Sequence, residues 1–252
     1  MNAHKLITWL LIGAYVFFWF GGIVAHIFLG GPPEHVRWTA PLFLLLAGLL
    51  VFLAANATVR IRLLAVGLIG TLAELAGVHT GFPFGGYQYT DALSPLVAGV
   101  PIVMASAWMV LAGFVHQIVA TLQMPRAVSI FLFASLLTAT DLIIDPLAAG
   151  PLAYWAWDAT GVYYGIPVTN FAGWLLVSLA VGAAMGRDCQ RTNVHWFVGY
   201  SITLFFTILA AFNGMGIATL IGAVLLALVA YVYLKLDADT VPATGTSRFT
   251  AL

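Results

Sequence analysis

Three stretches of this chain place acids where acids are expensive. Glu74 opens ELAGVHTGFPFGGYQY (74–89), Asp141 and Asp145 lie in DLIIDP (141–146), and WAWDATGVYYGIPVTN (155–170) carries Asp158 and ends on Asn170. The surrounding chain is 62% hydrophobic and 7% charged. An ionised Asp at the centre of a membrane helix costs about 2.5–3.5 kcal/mol on insertion scales, so such a residue is expected to face a cavity or a partner. Desolvation pushes a carboxyl's pKa up, and an acid kept neutral near pH 7 can donate a proton. A better hydrated neighbour stays ionised and can take a proton from water, so acids in unlike surroundings divide the two roles. Aromatic faces attract a cation within about 6 Å, and aromatics crowd the same stretches. The combination suits protonation of an isolated carbon–carbon double bond, with the carbocation then quenched or rearranged. Glu74, Asp141 and Asp145 are therefore the candidate catalytic residues. Phe84, Tyr87, Tyr89, Trp155, Asp158, Tyr164, Asn170 and Trp174 are the candidate substrate-binding residues.

Each has a plainer reading. Glu74 and Asp141 could hydrogen-bond a neighbouring helix or cap a Trp. Asp145 precedes Pro146, which cannot donate within a helix and could simply end one. Asn is a preferred helix N-cap, which would account for Asn170. Trp and Tyr favour membrane interfaces without any ligand. Against pure anchoring, glycine and proline stiffen the same loops, and the other side has no matching aromatic enrichment. The six histidines are scattered and read as packing residues, and GAAMG (182–186) reads as small-residue helix packing.

The elements that must hold these groups are membrane helices. A soluble domain carries roughly 25% charged residues, whereas this chain has 7% and a mean hydropathy of +1.03. Apolar runs of about twenty residues recur, each long enough to cross a bilayer core of about 30 Å. No ten-residue alternation suggests a barrel, and backbone groups in lipid must pair internally, so helices are expected. The expected fold is all-α, a polytopic membrane protein with spans at 6–29, 38–56, 60–79, 97–121, 126–145, 167–186, 195–212 and 214–235. Residues 1–236 form one transmembrane domain and 237–252 a short polar tail. With the N-terminus in the cytoplasm, Lys5, Arg60, Arg62, Arg126, Arg187, Arg191, Lys235 and Arg248 all fall on the cytoplasmic side and only Arg37 on the other. That asymmetry follows the positive-inside rule through every loop. It predicts both termini in the cytoplasm and a multi-pass protein of the cytoplasmic membrane.

With this orientation Glu74, Asp141, Asp145 and Asn170 gather at the outer level, beside two long outer loops (80–96 and 146–166) without Lys or Arg. Asp141 and Asp145 are four apart and share a helix face. No basic cluster suggests nucleic acid. The single Cys189 allows no internal disulfide. No histidine cluster, G-x-G-x-x-G or P-loop is present, so neither a cofactor nor a metal is expected.

The segments GVHTGFPFGGYQY, DLIIDP and GVYYGIPVTNFAGW, in order between about residues 70 and 176, resemble those of the carotenoid biosynthesis protein family, which includes the CruF-type carotenoid hydratases. The resemblance implies hydration of the terminal 1,2 double bond of an acyclic carotenoid end to a tertiary alcohol. Its implied substrates are carotenoids of the lycopene, gamma-carotene or fifty-carbon bisanhydrobacterioruberin type, and the lipid bilayer is the other expected partner. Three rivals remain at this stage. A cyclase would trap the same cation with an internal double bond. An isoprenyl transferase would use D-x3-D for magnesium and diphosphate, but cationic donors for diphosphate are missing from the outer side. A transporter or carotenoid-binding scaffold would use the acids as a proton relay.

Overall fold

The computed structural model describes residues 3–187 and 189–240. Eight helices follow one another: α1 (Ala3–Phe28), α2 (Thr39–Ala54), α3 (Ala57–Thr80), α4 (Met104–Thr121), α5 (Arg126–Ala149), α6 (Val168–Met185), α7 (Asn193–Phe212) and α8 (Gly216–Thr240). All eight are long and apolar enough to cross a membrane. The protein is all-α and polytopic, as its hydropathy requires. α8 runs four residues into the stretch read as a tail; the rest of that stretch, with Arg248, lies outside the described residues.

Local chemistry sets the boundaries. Asn56 caps α3 by accepting from the Val59 amide at 2.9 Å, a role for which Asn is suited. Gly81 ends the same helix at φ 75° and donates to the Gly77 carbonyl, the left-handed closure that glycine permits. The fourth span, expected from residue 97, begins only at Met104. Leu96–Val97 (β2) and Val100–Pro101 (β3) form a tight antiparallel hairpin, with Ala98 and Gly99 both at positive φ, the two-residue turn that strand twist favours.

The fifth span corrects the expectation in the other direction. Pro146 does not end α5, which continues one turn to Ala149. A proline at 146 withholds the N–H that Leu142's carbonyl would accept. Tyr163 Oη donates to that carbonyl at 2.8 Å instead.

A second ribbon joins the two long loops. Tyr87–Tyr89 (β1) pairs antiparallel with Trp155–Trp157 (β4), matching Tyr87 to Trp157 and Tyr89 to Trp155. Successive strand residues face opposite sides, so the four aromatics turn inward while Gln88 and Ala156 are exposed. The ribbon lies over one end of the bundle, where α3 and α5 finish and α4 and α6 begin. Among the helices α4 is the most enclosed and α1 the least.

Candidate active site

Glu74 sits on the inner stripe of α3 with Gly67, Gly70 and Gly77. Gly70 and Gly77 lie about one turn to either side, and both are glycine for reasons of space. A Cβ on Gly70 would lie 2.2 Å from Trp108 Cγ, and one on Gly77 2.9 Å from Tyr87 Cε1. The space they leave admits the groups that reach Glu74. Trp108 Nε1 donates to Oε1 at 3.1 Å, and the Tyr87 and Tyr89 hydroxyls both donate to Oε2, Tyr89 at 2.9 Å. Burial first, and then the Glu74 carboxyl, hold both phenols above the ordinary tyrosine range. They therefore keep their protons and donate.

The other two acids lie on α5, with Asp141 and Asp145 each 1% exposed. Asn170, in the first turn of α6, is not the N-cap; Pro167 holds that position. Its amide nitrogen bridges the acids instead, donating to Asp141 Oδ2 at 3.0 Å and to Asp145 Oδ2 at 2.6 Å. One NH2 has two protons, and each goes to one carboxyl. Trp155 Nε1 donates to Asp145 Oδ1 at 2.7 Å. Asp145 thus accepts on both oxygens. Asp141 accepts on Oδ2, and among the described residues no donor reaches its Oδ1.

Asp141 also lines a cavity of about 400 Å³ bounded by α1, α2, α4, α5, α6 and α7. Its walls are apolar apart from a few side chains, and Asp141 is the one carboxylate on them among the described residues. Trp155 and Trp174 line it beside Asp141. Trp174 in turn stacks on Trp108, with centroids 4.4 Å apart and planes 17° from parallel. Glu74 therefore reaches the cavity through Trp108 and Trp174 rather than directly.

The candidate residues fall into clear places. Glu74, Tyr87 and Tyr89 form one hydrogen-bonded cluster, and Asp141, Asp145, Asn170 and Trp155 the other. Tyr89 and Trp155 touch edge-on at 5.8 Å and connect the two. Phe84, 2% exposed, packs between Tyr87 and Trp174. Asp158 and Tyr164 are not brought to either cluster. Asp158 is exposed at the far end of the ribbon, its amide bonded to the Gly86 carbonyl. Tyr164 is 39% exposed, and its hydroxyl accepts from the Ile217 amide at the start of α8. Trp108 escaped the sequence reading. Its signal was an indole N–H deep in an apolar run, which when buried requires an acceptor.

No three of the His, Cys, Asp and Glu side chains among the described residues are grouped to hold a metal ion. The arrangement can deliver and accept protons at the end of an apolar, aromatic-lined cavity. A family model described as carotenoid biosynthesis protein matches residues 39–234. A bisanhydrobacterioruberin hydratase from Haloarcula japonica is 32% identical over 131 residues, covering 50% of this chain and 44% of that protein's length. No solved structure matches the chain.

Proposed function

The chain belongs to the carotenoid biosynthesis protein family, and from that premise we propose that it is a hydratase acting on an acyclic carotenoid end group. It adds water across the terminal 1,2 double bond and leaves a tertiary alcohol. The supporting observation is Asp141, which lines the apolar cavity and is tied through Asn170 to a second carboxyl.

Asp141 gives its proton to carbon 2 of the terminal isoprenoid unit, and the π bond becomes a C–H bond with a tertiary cation at carbon 1. Trp155 and Trp174 flank that position, and aromatic faces stabilise a cation. Water attacks carbon 1, and the proton it releases passes to the Asp141/Asp145 pair, restoring the starting state. Two acids one turn apart, joined by one amide, titrate as a pair. Glu74 is a positioning residue that fixes Trp108 and, through it, Trp174. Lycopene, gamma-carotene and bisanhydrobacterioruberin all present such an end. The protein works in the cytoplasmic membrane with the acids toward the outer face and both termini in the cytoplasm.

The test is the mass of pigments from a lycopene-producing bacterium that expresses the chain. The expected product gains one water per reacted end. Asp141→Asn should lower its yield about a hundredfold or more, the lower bound for a positioned acid–base group. Full yield from that variant at normal protein level would overturn the assignment. A new pigment of unchanged mass would indicate cyclisation instead.

A further inference from the structure

The cavity that Asp141 lines is not closed on every side. Its deep residues, Val110, Leu111, Ala148 and Ile202, are buried. The exposed residues among its lining are Phe17, Gly21, Leu29 and Pro33, all on α1 or in the turn that follows it. Phe17 is 72% and Leu29 66% exposed. The mouth therefore faces sideways, along the flank of a membrane helix, toward lipid.

Size makes this mouth necessary. A cavity of about 400 Å³ is at the small end of ligand pockets, about 300–1,000 Å³. It holds an end group. It does not hold a polyene rod comparable to the bilayer core, about 30 Å. With the end at Asp141, the rest of the rod must leave through the mouth.

α1 is built to let it pass. Tyr15 Oη lies 2.7 Å from Ser201 Oγ, and Trp19 Nε1 donates to the Ser201 carbonyl at 2.9 Å, fixing the middle of α1 to α7. Beyond Trp19, no side-chain hydrogen bond among the described residues ties α1 to another helix. There the helix turns small, with Gly21, Gly22 and Ala25 on the cavity wall. A Cβ at Gly21 would meet nothing within 4 Å. The family match begins at residue 39, so this wall comes from a segment that the match does not cover.

Resting on the function proposed above, we propose that α1 forms a lateral portal to the active site. The linear polyene of the substrate crosses the helix at Gly21, between Phe17 and Ala25, with its body in the bilayer and its end at Asp141. The portal makes α1 a specificity determinant: it admits a slender, linear polyene with no branch larger than a methyl group and sets how far the end can advance.

The test compares Gly21→Leu with Gly13→Leu in lycopene-producing cells. Gly13 lies on the same helix, a Cβ there would likewise meet nothing within 4 Å, and it does not line the cavity. Gly21→Leu should lower hydrated product about a hundredfold, the scale on which an end displaced by about 1 Å loses rate, while Gly13→Leu converts like the parent. In parallel, a diazirine-bearing amino acid is placed at 21 or at 13 and irradiated in membranes containing lycopene. A lycopene adduct is expected at 21 and not at 13. Normal conversion by Gly21→Leu, or no adduct at 21, would overturn the portal. If both leucine variants lose product, the adducts decide. An adduct at 21 from a parent chain that hydrates nothing would keep the portal and refute the hydratase.

Discussion

Glu74 and Asp141 are both buried acids in helices, and their partners give them different work. Glu74 is met by three donors and by no acceptor among the described residues. A glutamine there replaces one accepting oxygen with a further donor and leaves a buried N–H or O–H unpaired, which costs about 1–3 kcal/mol. Glu74→Gln should therefore lower the thermal unfolding midpoint in detergent. Asp141→Asn should leave it close to the parent, because the asparagine carbonyl can still accept from Asn170 and its NH2 takes the place of the O–H that the proposed proton donor already turns to the cavity. Equal midpoints for the two variants would contradict this division. The sequence could show that both acids were out of place. It could not show the division, because the donors to Glu74 come from residues 13 to 34 positions away, and in an apolar run Trp108 looks like any membrane tryptophan.

At the scale of elements, α5 continues past Pro146 because a hydroxyl from the following loop replaces the missing amide. Tyr163→Phe removes that donor and should cost about 1 kcal/mol, the usual net value of a hydrogen bond. In a Pro146→Ala background the helix supplies its own N–H, so the same substitution should cost measurably less. A double-mutant cycle on unfolding midpoints reads the difference, and an additive cycle would show that the hydroxyl and the proline are unconnected. The proline was visible in the sequence and its rescue was not, since Tyr163 lies 21 residues beyond the carbonyl it meets. The ribbon was similarly half legible. Tyr-x-Tyr and Trp-x-Trp alternate with the period of a strand, but three residues are too few to separate that period from an interfacial aromatic belt.

For the whole molecule, hydropathy alone located all eight helices, because lipid admits few other ways to satisfy a backbone. Their ends shifted where turn chemistry outweighed hydropathy, as at Met104. The proposed orientation has a direct check in a Cys189→Ser background. A membrane-impermeant maleimide added to intact cells should label Val162→Cys, at a position 94% exposed in an outer loop, and spare Ala127→Cys at the opposite end of the bundle until the cells are opened. The reverse pattern would invert the topology. The ribbon over the site carries one more consequence. α3, β1 and α4 supply an acid, an aromatic-x-aromatic strand and a tryptophan, and α5, β4 and α6 supply the same series in the same order. Their strands pair antiparallel about Gln88 and Ala156, and Trp108 stacks on Trp174. That is the self-complementary layout of a two-fold dimer contact, here made within one chain. Each acid cluster is built within its own half, and the side chains that join the two halves are rings, Tyr89 on Trp155 and Trp108 on Trp174, so among the described residues the clusters meet through aromatic contact and not through a shared hydrogen bond.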